Sequence, residues 1–572
     1  MTYPRLKGWL HPPGIGWILT ISLAFRATIA YFLPAGFDEA YYFLYTQHLD
    51  WSYFDHPVAV ALSTGIGVWS TGLASPVTLR LGALGLFTGS LWLLYATGRW
   101  LFGDRAGTIS ALIASINPLF LLTFGTLTAP DNALIFFWSA ALYLCAQEFF
   151  PQYSSSQYSS SQYSSSQYSS SQYSSSQYSN NSYTPSARLA TIGLSMGLCC
   201  LSKYHGFLMS LSLVFFCLSS DRHRRALSSK WMGIGMLAFG ICLLPMIYWN
   251  IQHDWISFEF QLSERFTTSV DSTPNLADFS MASFLGGVLT SVGFMFPMIG
   301  LPLWWISFRA LFSTLFRPSV ASNATDTAKA STLKIQFLLW AGLPVAAGFT
   351  LVSGFTHTYP AWPAPGLWAL TLLLGQTAAT WPRKGVHQWL TGTGVMIGLL
   401  LLFALAHITL GTLQKPSRYA LFGGFLAPEQ DPSTALIDTQ QLTQIFTDSN
   451  DFQSAIATTD FVITQEFWLS GYIAMALSQQ NAPPQYEPTV GCFSQDPRGH
   501  ATWFDSGQWL GKDALFISIA DFEQAQRLEA IAPYFEAITP LMTLTTQRGQ
   551  AVTETFYLYR AHNLIKPYRY PY

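Results

Sequence analysis

Long apolar runs dominate the first 412 positions, near 14–33, 78–99, 107–125, 131–149, 187–202, 206–219, 231–249, 284–307, 335–354, 361–378 and 388–412. A helix needs about 20 predominantly apolar residues to cross a bilayer, so these eleven runs predict membrane spans. The runs at 187–202 and 206–219 are short and contain glycine. A further run at 57–71 has two Gly and a Trp and falls short of a span. Its length predicts an interfacial or re-entrant helix.

From about Lys415 the pattern changes to that of a soluble domain. Phe461–Thr464 reads as a short strand and Phe467–Ser478 as the helix after it. Positions 513–518 read as another strand, 523–531 as a helix, and 553–559, rich in Thr and aromatics, as a third strand. The chain thus divides into a membrane domain over 1–413 and a small α/β domain over 414–572. Within the membrane domain, 34–77 forms a first loop with interfacial helices. Segment 150–186 is low in complexity, with QYSSS five times in succession over 152–176. It has no apolar period and almost no charge, so it predicts a disordered linker, with a polar β-prone tract as the alternative.

Composition agrees with the runs. Only 10% of residues are charged, against about 25% in an ordinary soluble domain. Half are hydrophobic, and the mean hydropathy is +0.27. The net charge of −2 shows no basic domain, which argues against a nucleic-acid partner. Five of the six cysteines lie in apolar runs and Cys492 stands alone in the C-terminal region, so no internal disulfide is expected there. The first apolar run lacks a small-residue cleavage site of convincing form, so no cleaved signal is expected.

Charge sets the orientation. Arg5 and Lys7 predict a cytoplasmic N-terminus. If 57–71 does not cross, Arg99 with Arg105, the Arg222/Arg224/Arg225/Lys230 group, Arg309 with Lys334, and Arg383 with Lys384 also fall inside. If it does cross, all four flip outside. The rule favours eleven spans, a cytoplasmic loop at 150–186 and an extracytoplasmic C-terminal domain in a plasma (inner) membrane protein. The same parity gathers Asp38, Glu39, Asp55, His56, Asp131, Lys203, His253 and Arg265 on the outer side.

Four constellations could carry chemistry. Phe37-Asp38-Glu39-Ala40-Tyr41-Tyr42 opens the first loop, which continues to Tyr53-Phe54-Asp55-His56-Pro57. Adjacent carboxylates at a membrane surface are costly unless solvated or used. Asp38 is either a general base for an acceptor or an interfacial carboxylate among aromatic anchors. In Thr128-Ala129-Pro130-Asp131-Asn132, Asp131 either caps the next helix or reacts. In Leu201-Ser202-Lys203-Tyr204-His205-Gly206, Lys203 either snorkels to the interface or binds phosphate. In the aromatic and polar stretch from Trp249 to Phe266, His253 and Arg265 either decorate an interfacial helix or reach an anion. Carboxylates from two loops and cations from two others suit a reaction in which a lipid phosphate leaves. No Walker loop, HExxH or βαβ-type GxGxxG is found.

At these residues the sequence resembles the GT-C superfamily of polyprenyl-phosphate-sugar glycosyltransferases. It is most similar to the branch of the dolichyl-phosphate-mannose protein mannosyltransferases and the bacterial lipid A aminoarabinose transferase. The stretches that carry the resemblance are FDEAYYFLYTQHLDWSYFDHP, TAPDNALIFFW, GLCCLSKYHG and PMIYWNIQHDWISFEFQLSERF. It covers about 15–280 well, the remaining helices loosely and the C-terminal domain weakly.

The resemblance implies a polytopic α-helical, GT-C-like membrane protein of about 11–13 transmembrane helices with a small extracytoplasmic α/β domain. It implies Asp38 as the catalytic aspartate with Glu39 its companion, and Asp131 as the second-loop aspartate. Lys203, Arg265 and Tyr204 fall beside the donor phosphate. Asp55, His56 and His253 fall at positions for acceptor or metal; His56 stands where some relatives carry Lys. A divalent metal ion is the one cofactor the resemblance leaves open. The implied partners are a polyprenyl-phosphate sugar donor, a lipid, glycan or protein acceptor, and membrane lipid. The implied reaction is an inverting single displacement on the extracytoplasmic face. A transporter or flippase, which would show paired inverted repeats, and an inactive sugar-lipid-binding scaffold are the alternative classes.

Overall fold

The computed structural model describes residues 13–152, 183–262, 279–316, 326–479, 489–519 and 524–572. The membrane domain begins with helix α1 (Pro13–Phe32), followed by the short loop helices α2 (Phe37–Gln47) and α3 (Ala59–Thr71). Then come α4 (Pro76–Phe102), α5 (Asp104–Ile116), α6 (Pro130–Phe149), α7 (Arg188–Ser202), α8 (Gly206–Ser219) and α9 (Lys230–Gln252). It continues with α10 (Ile256–Leu262), α11 (Met281–Phe294), α12 (Pro297–Leu315), α13 (Asp326–Val352), α14 (Ala364–Ala378) and α15 (Arg383–Leu410).

Among the described residues, six of these helices are long and apolar enough to cross a membrane alone. The outer faces confirm the solvent. Met236, Leu237, Ile241 and Leu244 of α9, and Val395, Leu399 and Leu400 of α15, are each more than two-fifths exposed. Apolar surface this continuous belongs against lipid. By contrast α14 is buried along nearly its whole length at the bundle centre, where shorter helices suffice.

Two expected runs differ in detail. The run at 107–125 is not one helix: α5 stops at Ile116, Pro118 follows, and a π-helical turn spans Phe120–Phe124. Proline lacks the N–H that would continue the ladder. The run at 284–307 splits into α11 and α12 at Met295-Phe296, where Phe296 has φ 65° and Pro297 starts the next helix. The turn is sharp enough for Trp304 Nε1–H to donate back to Ser291 at 3.2 Å. The ends still sit where one crossing puts them: Ser280 N–H donates to Gly354 O at 2.8 Å, while Arg309 shares a hollow with Thr377 and Trp381. Run 57–71 forms α3, whose Leu62, Ile66 and Trp69 are exposed at spacings of four and three residues. At 13 residues α3 is too short to cross a bilayer by itself.

The C-terminal domain carries α16 (Thr439–Asp448), α17 (Asn450–Ile456), β1 (Phe461–Thr464), α18 (Phe467–Ser478), β2 (Val490–Cys492), α19 (His500–Trp503) and β3 (Ala514–Ile519). It ends with α20 (Gln524–Ile531), β4 (Phe535–Arg548) and β5 (Ala551–Leu564). The five-stranded sheet runs β2-β1-β3-β5-β4, with β1 parallel to both neighbours and β5 antiparallel to both of its own. The β4–β5 hairpin turns through Gly549 and Gln550 at φ 59° and 81°. Two consecutive positive φ values match the right-handed twist of the flanking strands. The third strand expected at 553–559 is thus the middle of the longer β5.

This domain does not hang free. Ala35, Ala40, Phe43 and Leu79 of the membrane domain share one buried cluster with Leu469, Tyr472, Leu515 and Phe556. Tyr472 O–H donates to Ala35 O at 2.6 Å. Helix α18 approaches α2 so closely that a Cβ on Gly471 would stand 2.3 Å from Ala40 O. Gly471→Val therefore forces the two helices apart, and overpacking of this kind costs about 1–3 kcal/mol. The expected result is a lower melting temperature, with protease cleavage at the junction between the two domains. Unchanged unfolding of the purified variant would contradict the packing.

Burial also makes stability depend on pH. His500 is fully buried, its Nε2 lies 2.6 Å from Ser470 Oγ, and burial pulls its pKa down to about 3. The folded state therefore excludes a proton that the unfolded chain accepts below pH ~6.5. His500 costs no stability above pH ~6.5 and progressively more as the pH falls from there towards 3. Thermal unfolding of His500→Gln should show a shallower loss over this window than the unaltered chain.

Candidate active site

The site is built around a buried ion pair. Arg80, on α4, is completely buried and donates Nε–H to Glu39 Oε1 at 2.8 Å and Nη2–H to Oε2 at 2.5 Å. Its remaining N–H groups go to Ala30 O, Leu33 O and Pro34 O, at the end of α1 and just beyond it. Glu39 also accepts from Gly36 N–H at 2.8 Å and from Thr128 N–H at 2.7 Å. A buried pair is tolerable when further hydrogen bonds satisfy each partner, as here. The consequence is geometric: one carboxylate ties the end of α1, the start of α2, α4 and the 128 turn together.

That tie fixes two other aspartates. Asp38 precedes Glu39 in the first turn of α2, where it is exposed. Asp131 follows three residues after Thr128 in the first turn of α6, where it is buried. The turn between is held by Asn132, whose Oδ1 accepts from Ala129 N–H at 2.7 Å and whose Nδ2–H donates to Phe124 O at 2.8 Å. Asn132, not Asp131, satisfies the helix start. Asp131 instead takes Lys203 Nζ on both oxygens, at 2.9 and 2.7 Å. Both side chains are about 95% buried, so Lys203 does not snorkel. It is the residue after α7, with Tyr204 next.

Tyr204 lies with its Oη 2.5 Å from Ser257 Oγ on α10, within electrostatic reach of Asp55. Asp55 is buried and accepts from Tyr45 O–H on one oxygen and from Arg498 Nη1–H at 3.2 Å on the other. Burial first, and then the charge of Asp55, raise the Tyr45 hydroxyl well above its ordinary pKa, so it stays a donor. His56 is buried edge-on to Tyr42. His253 stacks on Trp249 at 4.0 Å, with Nδ1 2.8 Å from Trp249 O, and Trp249 Nε1–H donates to Asp50 at 2.8 Å. Gln261 Nε2–H donates to Asp55 O at 2.6 Å. Arg265 lies outside the described residues.

The described candidates therefore stand at one end of the bundle but in separate pairings. Glu39 has both oxygens committed inside the protein, which makes it a positioning residue. Asp131 and Lys203 meet directly. Asp38 is exposed at the start of α2, one residue before Glu39. Two partners were not expected. Arg80 sits inside the apolar run 78–99, and a lone charge there is the signal that marks it. Arg498 offered none, because Asp496-Pro497-Arg498-Gly499 reads as an ordinary turn. Among the described residues no three His, Cys, Asp or Glu side chains converge, and Asp55 is committed on both oxygens.

The comparisons agree with the fold. The chain resembles the GT-C superfamily of polyprenyl-phosphate-sugar glycosyltransferases, and its fold is that of these membrane enzymes. The family model "Dolichyl-phosphate-mannose-protein mannosyltransferase" matches residues 55–149, from Asp55 to the end of α6. Among solved structures, apo ArnT from Cupriavidus metallidurans is similar, with a TM-score of 0.55 and 14% identity over 96% of this chain and 98% of that one. ArnT of the same organism bound to undecaprenyl phosphate is similar with a TM-score of 0.53 and 14% identity, over 97% of this chain and 98% of that one. No curated protein matches the chain in sequence.

Glu39→Ala tests the hub. It leaves the Arg80 guanidinium buried without its anion, and such a loss costs about 3–5 kcal/mol. The expected outcome is failure to accumulate, or a much lower melting temperature. A variant as stable as the unaltered protein would show that the pair carries no structural weight.

Proposed function

We propose that this chain is an integral-membrane glycosyltransferase that moves a sugar from a polyprenyl-phosphate donor to a lipid, glycan or protein acceptor on the extracytoplasmic face. The observation that supports the reading is a chain of contacts: Glu39, next to the exposed Asp38, accepts from Thr128 N–H in the turn that leads to Asp131, and Asp131 holds the buried Lys203. The GT-C fold and the family match over 55–149 support the same reaction class. ArnT holds undecaprenyl phosphate on this fold, which supports a lipid-phosphate donor here.

The chemistry follows from the charges. Asp38 takes the proton of the acceptor O–H or N–H as that atom attacks the sugar C1 from the side opposite the phosphate. The C1–O bond breaks, its electron pair leaves with the lipid phosphate, and the anomeric centre inverts. Negative charge grows on the phosphate, and a cation preorganised beside it lowers the barrier. Asp131 holds Lys203 in position for this role, and Tyr204 follows it on the same turn. Arg265 is assigned the same side of the reaction on the resemblance.

Asp38→Asn keeps size and hydrogen bonding but removes the base. Release of polyprenyl phosphate from a polyprenyl-phosphate sugar should fall about a hundredfold or more, with an unchanged melting temperature. Full turnover by the variant would remove Asp38 from this role. Transport of the donor without cleavage by the unaltered protein would overturn the enzyme reading itself.

A further inference from the structure

Asp55 presents a difficulty for a site that takes an anionic donor. It is buried, and α10 links it to Tyr204, the residue after Lys203: Gln261 Nε2–H donates to Asp55 O at 2.6 Å, and Ser257 Oγ lies 2.5 Å from Tyr204 Oη. An unneutralised carboxylate there would repel a phosphate in a poorly screened environment. The neutralising cation comes from 443 positions away, in the C-terminal domain.

Arg498 is held for this contact from several directions. Its guanidinium lies 3.8 Å over the Phe467 ring, at the start of α18. Its Nε–H donates to Asp496 at 3.4 Å while Nη1–H donates to Asp55 at 3.2 Å. Its backbone sits at φ 46°, a conformation that costs a non-glycine residue energy and persists only where the surroundings impose it. The next residue completes the clasp: Gly499 N–H donates to Tyr41 Oη at 2.9 Å, and Tyr45 O–H joins Tyr41 at 3.3 Å and Asp55 at the other side. Trp503 stacks on His48 at 5.1 Å and 6°.

We propose that Arg498 is a positioning residue of the membrane site: docked from the C-terminal domain, it neutralises Asp55 so that a lipid phosphate can be received beside Lys203. The inference rests on the glycosyltransferase reading for the identity of the donor. It makes the C-terminal domain a part of the site, since the membrane domain alone leaves Asp55 uncompensated by Arg498. Loss of the cation weakens phosphate binding, and loss of the carboxylate as well relieves most of that defect.

The test uses the full chain in lipid nanodiscs, unaltered and as Arg498→Gln, Arg498→Lys and the double variant Asp55→Asn/Arg498→Gln. Two quantities are read: the Kd for undecaprenyl phosphate, and the KM and kcat for its release from an undecaprenyl-phosphate sugar. Arg498→Gln should weaken binding and raise KM about tenfold, with kcat changed less than about threefold. Arg498→Lys should fall between, and the double variant should recover most of the binding. A merely structural arginine would lower the active fraction and so kcat, leaving KM alone. Unchanged binding in Arg498→Gln, or a double variant no better than the single one, overturns the inference. If binding follows this order but no form cleaves a sugar donor, the charge pairing stands and the glycosyltransferase reading fails. If the unaltered protein cleaves the donor while binding ignores Arg498, the reverse holds. If the unaltered protein neither binds the lipid phosphate nor cleaves the donor, both fall.

Discussion

The pairing of Glu39 with Arg80 is the constraint on which the rest of the structure depends. A guanidinium buried near the start of an apolar helix is costly, and its cost is offset only because every N–H finds an oxygen. Those oxygens lie at the end of α1, just beyond it and at the start of α2, and the same carboxylate reaches the 128 turn. Satisfying one buried charge thereby fixes where three chain segments meet. Asp38 and Asp131 inherit their positions from it, one turned to solvent and the other to Lys203.

The same logic organises the contact between the two domains. The apolar cluster that joins α2 with α18 supplies the attraction, and Gly471 permits the approach. Over that contact lie paired charges whose partners come from different domains, Asp55 with Arg498. At the far edge, Asp431 accepts from Arg548 at 3.1 Å and lies 3.2 Å from His407 at the end of α15. The C-terminal domain is therefore seated by burial and registered by charge. Specificity of register is a role that buried ion pairs can serve even where they add little net stability.

Much of the fold was legible in the sequence because the relevant forces are local. Apolar run length marked the membrane helices, and the run at 57–71 formed the short helix its length predicts. Strand β1 and helix α18 were readable from composition within a few residues. What was not legible has physical causes. Strand β2 is three residues long, and β4 is mostly exposed and contains Pro540, so neither shows alternation. The breaks after Ile116 and at Phe296 were marked by Pro118 and Pro297, which a hydropathy average conceals. In the site, residue type singled out Asp38, Asp131 and Lys203, but not the pairing of Asp131 with Lys203. Arg80 carried a signal in its own unlikely setting, whereas the Arg498–Asp55 contact exists only through tertiary structure.

The central claim is that a lipid phosphate is received beside Lys203, at the end of the bundle that carries Asp38. A structure of the full chain with undecaprenyl phosphate bound tests it most directly. The account predicts the phosphate within hydrogen-bond distance of Lys203 or Tyr204, with space for a sugar between it and Asp38. Phosphate density at the opposite end of the bundle, near Arg105 and Trp381, would contradict it.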